Sequence, residues 1–307
     1  MSKTSKSPKS VLLTAHRVGQ RSLRAYSHLF SPKKFTQPQL FACLVLKEFL
    51  QLDYRKLSSL LTDTPTLCAS IGLEQVPHFT TFQKAHDRLL GSRRAKRLLD
   101  ETVDGAIKHK LMKRKVKLAA IDGTGFESRH VSTYYAKRKQ KTAGKKGRKR
   151  HRFPKAGFVC DCQSHFILAV VPGRGPMPDD KHFQPALQRA TGRTKIDTLL
   201  ADAGYDGEPS HVHAREQYGM KTVIPPLRGR PTDNLPKSKW RKRMATHFNK
   251  QKYGQRWQIE TVNSMIKRLQ GSALRSRKTR TQNRETHLRA ITHNVMILRW
   301  QVFYRAE

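Results

Sequence analysis

Acidic residues are scarce in this sequence. The 307 residues include 22 Asp and Glu against 62 Lys and Arg, so the formal net charge is +40. A compact chain with this charge repels itself unless a polyanion neutralises it. A role in solubility alone is disfavoured, because about 2–8 charges suffice for a small domain. The composition therefore indicates a protein that binds nucleic acid.

Cysteines and long apolar runs are also few. Four scattered cysteines in a chain of this length do not form a disulfide framework, so we expect a cytoplasmic protein associated with the nucleoid. The longest apolar runs, 41–46 and 166–171, fall far short of the roughly 18 residues of a membrane span. No membrane partner is therefore expected. The sequence also lacks a P-loop and a GxGxxG motif, which removes support for ATP-driven or redox chemistry.

Three parts are predicted along the chain. Residues 1–37 are interpreted as a basic tail and lead-in, because residues 1–10 are mostly Ser, Lys and Pro. Residues 38–112 are predicted to form a small helical domain, with Asp53 as one N-cap. This domain could bind DNA, or it could be an ordinary helical or dimerisation element. Residues 113–307 combine short β-rich runs with helices, which predicts one mixed α/β domain.

Five strands are predicted in this α/β region. The second and third form a hairpin, because a tight turn at 162–164 joins them. A helix over 208–218 precedes the fifth strand. The last helix, about 283–304, is expected to pack on the core with Arg289 and Arg299 pointing outward. The predicted strands are 116–121, 157–161, 165–170, 197–201 and 221–224.

The densest run of charge lies between the first strand and the hairpin. Residues 137–152 hold ten Lys or Arg and no acid. We predict a mobile loop that follows DNA phosphates, and the alternative is a solvated surface run. The cations expected to bind phosphate there are Lys137, Arg138, Lys145, Lys146, Arg148, Lys149 and Arg150.

Two aspartates at strand ends are informative in a chain with so few acids. Asp122 follows the first predicted strand, Asp202 ends the fourth, and a glycine-containing turn follows each. Two carboxylates from neighbouring strands can share a divalent cation, which prefers hard oxygen ligands. The alternative is an ordinary turn aspartate, the more common role of Asp before Gly. Asp206 competes with Asp202, and we favour Asp202 because it ends the apolar strand.

A third carboxylate lies on a polar stripe of a predicted helix. At about 100° per residue, Arg256, Glu260 and Lys267 fall within about 60° of Tyr253 around the helix axis. The apolar residues of the segment fall on the other side: Ile259, Val262, Ile266 and Leu269. This pattern predicts a helix that packs by its apolar face and presents the stripe. The alternative is a surface helix with an ordinary polar face.

These residues carry a resemblance to a known family. The spacing from Tyr253 to Lys267 resembles the Y-(2)-R-(3)-E-(6)-K signature of bacterial insertion-sequence DDE transposases. The sequences AAIDGTG around Asp122 and LLADAGYDG around Asp202 resemble that family's first and second aspartate motifs. The resemblance covers about residues 40–304. It implies a ribonuclease H-like, mixed-sheet α/β catalytic core preceded by a small all-α N-terminal domain.

The resemblance also implies an activity. Such an enzyme cleaves transposon ends and transfers the freed 3′-hydroxyl to target DNA. Asp122, Asp202 and Glu260 would be the catalytic residues and would hold two Mg²⁺ or Mn²⁺ ions about 3.5–4 Å apart. Asp122 would be the ligand shared by both ions. The short interval between Asp202 and Glu260 predicts only a small basic insertion, around 226–250.

Further roles follow from the same resemblance. Arg256 and Lys267 would bind phosphates beside the scissile bond, while Tyr253 would either contact the DNA or pack as an aromatic. The partners would be double-stranded DNA, both terminal inverted repeats and target DNA, and a second copy of the chain in a homodimer on DNA. Two alternatives remain: a nucleic-acid-binding protein without catalysis, and a nuclease of the same fold without strand transfer. The intact acidic triad favours the transposase.

Overall fold

The structure, a computed structural model, describes residues 4–128, Arg138, 152–227 and 234–303, with the side chains of 299–303 excepted. The chain divides into two compact units. We call the first the helical unit; it comprises Met1–Lys113, Arg268–Gly271 and Arg284–Glu307. We call the second the α/β unit; it comprises Arg114–Lys267 and Ser272–Asn283.

Six helices open the helical unit. They are α1 (Pro8–Ser22), α2 (Gln37–Phe49), α3 (Tyr54–Asp63), α4 (Pro65–Ser70), α5 (Phe79–Leu89) and α6 (Ser92–Lys108). Asp53 caps α3 as predicted, because its carboxylate accepts a 2.8 Å hydrogen bond from the backbone N–H of Lys56. Helix α2 is buried on nearly every side, which explains its broadly apolar sequence.

Helix α1 corrects one prediction. The basic tail and lead-in predicted for residues 1–37 is wrong over this helix, because Val11, Leu12 and Ala15 are fully buried. The hydroxyl of Ser7 caps the helix by accepting a hydrogen bond from a backbone N–H of the first turn. The lysines and serines at the start of the chain give this segment the composition of a polar tail. Burial of its apolar face nevertheless stabilises the helix.

A five-stranded mixed sheet forms the core of the α/β unit, in the order β5-β4-β2-β7-β8. Its strands are β2 (Ala119–Gly125), β4 (Phe153–Asp161), β5 (Ile167–Gly175), β7 (Thr198–Leu200) and β8 (Lys221–Val223). Strand β4 is antiparallel to both β2 and β5, whereas β7 runs parallel to both β2 and β8. This mixed sheet with helices confirms the predicted ribonuclease H-like fold class.

Short strands and helices complete the α/β unit. Strand β1 (Lys115–Val116) pairs with β6 (Lys195–Ile196), and β3 (Glu127–Ser128) pairs with β9 (Ala273–Leu274). Helix α7 (Asp180–Ala190) packs on β4 and β5. The remaining helices are α8 (Glu208–Val212), α9 (Lys239–Thr246), α10 (Lys250–Tyr253), α11 (Trp257–Gln270) and α12 (Thr279–Phe303). Helix α9 occupies the segment predicted as a small basic insertion. No described helix is long and apolar enough to cross a membrane.

The last helix differs from its prediction in two ways. From Arg284 onward it belongs to the helical unit rather than to the domain expected over 113–307. Arg289 was expected to point outward, and this is wrong, because only 1% of it is exposed. Its guanidinium forms ion pairs with Glu48 at 3.0 Å and Glu285 at 3.3 Å. These carboxylates compensate the buried charge. The side chain of Arg299 lies outside the described residues.

Candidate active site

Asp122 lies within strand β2, not beyond its end as predicted. Backbone pairing with Phe158 of β4 at this position continues to Gly125, which lengthens the strand. The side-chain amide of Asn263 on α11 donates a 2.9 Å hydrogen bond to Oδ2 of Asp122. The central strand and the helix that carries the polar stripe are therefore joined at the predicted first aspartate.

The glycine after Asp122 has a packing role. A Cβ atom at Gly123 would lie 1.9 Å from Oδ1 of Asp179, so no larger residue fits without displacing that carboxylate. Asp179 is the N-cap residue of α7 and forms a 2.8 Å ion pair with Nζ of Lys155 on β4. Successive residues of a strand face opposite sides of the sheet, so Asp179 approaches the face opposite Asp122.

The register of the sheet brings Asp202 beside Asp122. Ala120 of β2 pairs with Leu200 of β7 in parallel, and each aspartate follows its paired residue by two positions. Asp202 caps a 3₁₀ turn, where Oδ1 accepts a 3.0 Å hydrogen bond from the backbone N–H of Gly204. The two aspartates predicted to share a cation thus occupy the same level of neighbouring strands.

The electrostatics of Asp122 reflect this arrangement. Burial raises the pKa of Asp122 to about 6, and the nearby carboxylate of Asp202 also raises it. The guanidinium of Arg256 acts in the opposite direction and lowers this pKa. A buried carboxylate beside a second carboxylate is an unfavourable anion, and a divalent cation would compensate it.

Glu260 lies on the first turn of α11 and is bound to Arg256. The two side chains form an ion pair across one helical turn, and 55% of the Glu260 side chain is exposed. Burial lowers the pKa of Arg256, but Glu260, Tyr253 and Asp122 together raise it above its usual value. Within the described part of the chain, no three His, Cys, Asp or Glu side chains lie close enough to hold one metal ion. The structure therefore brings Asp122 and Asp202 together and leaves Glu260 paired with Arg256.

Asp206, the competitor of Asp202, is engaged in a buried network. Its side chain is fully buried, and Oδ2 accepts hydrogen bonds from Nε of Arg241 at 2.9 Å and from the backbone N–H of Leu227 at 2.8 Å. Nε2 of His211 lies 3.4 Å from Oδ1. These contacts link α9 to the turn after β7. The geometry supports Asp202 as the better candidate ligand.

Two residues near the carboxylates were missed by the sequence analysis. Asn263 falls at about 280° on the same helical projection, next to the polar stripe, so its position was detectable. Tyr205 is 1% exposed, and its hydroxyl has no hydrogen-bond partner among the described residues. Burial raises the pKa of Tyr205, and so do Asp179, Asp122 and Asp202. The sequence carries no signal that this tyrosine is buried within the electrostatic influence of these carboxylates.

The other stripe residues have partners within the α/β unit. The ring centroids of Tyr253 and Phe248 are 5.1 Å apart, and the guanidinium of Arg256 lies 5.9 Å from the ring centroid of Tyr253. Nζ of Lys267 lies 5.9 Å from the ring of Phe126. The buried face of α11 includes Ile259, Val262 and Ile266, as the helical projection predicted, whereas Leu269 is only half-buried.

The basic run can be located only in part. Arg138 is described and exposed. The other predicted phosphate ligands lie outside the described residues: Lys137, Lys145, Lys146, Arg148, Lys149 and Arg150. Their contribution to DNA binding stays a prediction.

Comparison with known proteins identifies the α/β unit. Residues 114–295 match the model of the family described as "Transposase DDE domain", which is more than half of the chain. No curated protein sequence shows a significant match to the chain. Asp122, Asp202 and Glu260 all lie inside the matched residues, whereas the helices of 38–112 lie outside them.

Proposed function

Because the chain belongs to the family of transposase DDE domains, we propose that it cleaves transposon ends and transfers the freed 3′-hydroxyl to target DNA. The family inferred from the sequence motifs is thus confirmed. The observation that carries the proposal is the parallel register of β2 and β7, which sets Asp122 level with Asp202 beside α11. Cleavage and strand transfer at this site go beyond what family membership establishes.

The donor chemistry of Asp122, Asp202 and Glu260 suits divalent cations. Their oxygens are the hard ligands that Mg²⁺ and Mn²⁺ prefer, and a cation would offset the repulsion between Asp122 and Asp202. When bound, two such ions activate the attacking oxygen and stabilise the leaving oxygen of an in-line displacement at phosphorus. Asp122, Asp202 and Glu260 would hold these ions, with Asp122 contributing to both.

Asn263 and Arg256 prepare these ligands. The hydrogen bond from Asn263 orients the carboxylate of Asp122, and a fixed ligand binds metal more tightly than a free one. Glu260 must leave its ion pair with Arg256 to complete the site. The guanidinium then becomes free to bind a DNA phosphate in bidentate geometry. Arg256 thus exchanges a carboxylate for a phosphate when DNA binds. Lys267 supplies a second cation on the same polar stripe, further along the helix.

Duplex DNA is the proposed partner, as transposon ends and as target. The charge of +40 supports this, because neutralised phosphates release counterions and so drive binding. Two ends must be joined in one event, and a two-fold homodimer is the simplest closed assembly that holds two active sites together. We place recognition of the ends in residues 38–112 and the chemistry in the α/β unit, and we propose that the protein works at the cytoplasmic nucleoid.

Three isosteric variants test the proposal: Asp122→Asn, Asp202→Asn and Glu260→Gln. Each removes one metal-ligating charge and keeps the side-chain shape, so cleavage of a labelled inverted-repeat duplex in Mg²⁺ should fall by about 100-fold or more. Asp197→Asn is the matched control, since Asp197 lies in the same unit and pairs with Lys115. Gel-shift affinity should not fall in any of the four variants.

The products of the same assay distinguish the enzyme classes. A transposase yields cleaved ends and then joined strand-transfer products. Cleaved ends without joined products indicate a nuclease of the same fold. Wild-type rates in the three site variants would contradict the assigned residues.

A further inference from the structure

The helical unit contains a cavity lined by arginines. Its volume is about 420 Å³, and four guanidinium side chains line it together with the hydroxyl-bearing Tyr26 and Ser27. These cations are Arg21, Arg24, Arg94 and Arg97. No acidic residue of the described chain lines the cavity. We propose that this arginine cavity binds the backbone phosphates of duplex DNA at a transposon end.

The sequence of α6 conflicts with its own helix dipole at this cavity. Its first turn carries Arg93 and Arg94 and no acid. Cations are unfavourable at a helix N-terminus, where the dipole is positive and anions are favoured. A bound phosphate would resolve this conflict. Local conflicts of this kind concentrate at functional sites, since the rest of the fold must compensate for them.

Two of the arginines are held in place by protein contacts. Arg94 donates a 2.7 Å hydrogen bond to the backbone carbonyl of Arg88, which fixes its guanidinium. Arg21, at the end of α1, lies 3.5 Å from Glu101. Arg24 and Arg97 are exposed, and neither forms an ion pair with another described residue. The cavity therefore combines two anchored cations with two that are available to a ligand.

The ligand chemistry follows from the guanidinium groups. Arginine presents a planar fork of N–H donors that matches phosphate oxygens, and several arginines around one cavity fit consecutive phosphates of a strand. A phosphodiester backbone and free inorganic phosphate share this chemistry. The charge of the whole chain favours the polyanion. The inference rests on the proposed function for its choice of transposon-end DNA. It extends end binding to residues 21–27, which precede the segment 38–112.

A double variant of the full chain tests the cavity. Arg24→Gln with Arg97→Gln removes the two available cations. The control, Lys9→Gln with Lys113→Gln, removes two exposed cations of the same unit that neither line the cavity nor lie within residues 38–112. Both variants carry 40 − 2 = +38 charges. Duplex DNA affinity is measured by fluorescence anisotropy over a range of salt, in EDTA so that no cleavage occurs. Circular dichroism and melting temperature confirm that each variant is folded.

The cavity variant should bind duplex DNA less tightly than the wild type, and its affinity should depend less steeply on salt. Each lost phosphate contact removes about 0.9 from the slope of log K against log salt, so the slope should become shallower by about 1–2. The control variant should keep the wild-type slope. Equal losses in the two variants would overturn the inference, because they would reflect net charge alone.

A second experiment compares duplex DNA with inorganic phosphate as the ligand. The duplex should protect the wild-type chain against thermal unfolding, whereas inorganic phosphate at a matched phosphate concentration should not. The cavity variant should be protected less by the duplex than the control variant is. Equal protection by inorganic phosphate would overturn the inference in favour of a free-anion site. A wild-type chain that binds as expected but never cleaves would contradict the proposed function and leave the cavity intact.

Discussion

The side-chain amide of Asn263 donates a 2.9 Å hydrogen bond to Oδ2 of Asp122. This bond joins helix α11 to strand β2, two elements that carry predicted site residues. Asn263 is 7% exposed, so the contact is shielded from water and holds the carboxylate firmly. The predicted metal ligand and the predicted phosphate-binding stripe are thus parts of one structure.

Asn263→Ala should weaken metal binding more than it weakens folding. In this variant the carboxylate of Asp122 loses the hydrogen-bond donor that orients it. Loss of a hydrogen-bond partner of a metal ligand lowers metal affinity by about 10–100-fold. Mn²⁺ titration followed by electron paramagnetic resonance measures this directly. Ser264→Ala, at an exposed position on the same helix, should bind Mn²⁺ like the wild type. Equal affinity in Asn263→Ala and Ser264→Ala would show that the hydrogen bond has no role in the site.

Metal affinity should depend on pH through Asp122. Its pKa is raised to about 6, so without metal the folded chain holds a proton there more tightly than the unfolded chain does. The ordinary pKa of an aspartate is 3.8, so the contribution of Asp122 to the unfolding free energy decreases as pH rises from 3.8 toward about 6. A metal needs the ionised carboxylate, so affinity should fall up to tenfold per pH unit below about 6.

Calorimetry of Mn²⁺ binding in buffers of different ionisation enthalpy checks this dependence. Binding should release a proton below about pH 6 and release fewer protons above it. Proton release that does not change across this range would separate Asp122 from the metal site.

Tyr205→Phe should reduce metal affinity without destabilising the protein. The hydroxyl is a buried donor with no partner among the described residues, and such a group costs about 1–3 kcal/mol. Its removal should leave the melting temperature of the metal-free protein equal or higher. In the loaded site the hydroxyl can donate to a ligand carboxylate or to a bound water, so Mn²⁺ affinity should fall about tenfold.

Tyr54→Phe is the matched control, because Tyr54 is a half-buried tyrosine of the helical unit whose pKa is also raised by burial and nearby carboxylates. It should not change Mn²⁺ affinity. A lower melting temperature for Tyr205→Phe with unchanged Mn²⁺ affinity would assign Tyr205 a packing role only.

Asp206→Asn should destabilise the fold, in contrast to Asp202→Asn. Asp206 is buried and compensates Arg241, so its neutralisation leaves that cation poorly paired and should lower the unfolding free energy by about 1–3 kcal/mol. Asp202 caps one short turn, and its neutralisation also removes repulsion with Asp122. Urea unfolding measures both variants. If Asp202→Asn were the more destabilising variant, the structural role assigned to Asp206 would be wrong.

Patterns local in sequence predicted the packing of α11 and selected the candidate carboxylates. The buried face of α11 follows from helical periodicity, because Ile259, Val262 and Ile266 recur on one side. The preference for Asp202 over Asp206 follows from the apolar strand before it. These inferences need only neighbouring residues, and the physical rule is the same in every protein.

Features that depend on distant residues could not be predicted in this way. The clearance at Gly123 is set by Asp179, which lies far along the chain. Arg289 is basic in the sequence, but Glu48 compensates it inside the helical unit. The tail prediction failed at α1 for a different reason, since the polar residues of 1–10 adjoin a helix whose apolar face is marked only by the spacing of Val11 and Ala15.

Single-turnover cleavage of an inverted-repeat duplex by Asp202→Asn and Asp197→Asn, in Mg²⁺, tests the central claim most directly. The account predicts that Asp202→Asn loses cleavage by about 100-fold or more while binding the duplex normally, and that Asp197→Asn cleaves like the wild type. Normal cleavage by Asp202→Asn, together with loss in Asp206→Asn at unchanged stability, would contradict it and move the second ligand to Asp206.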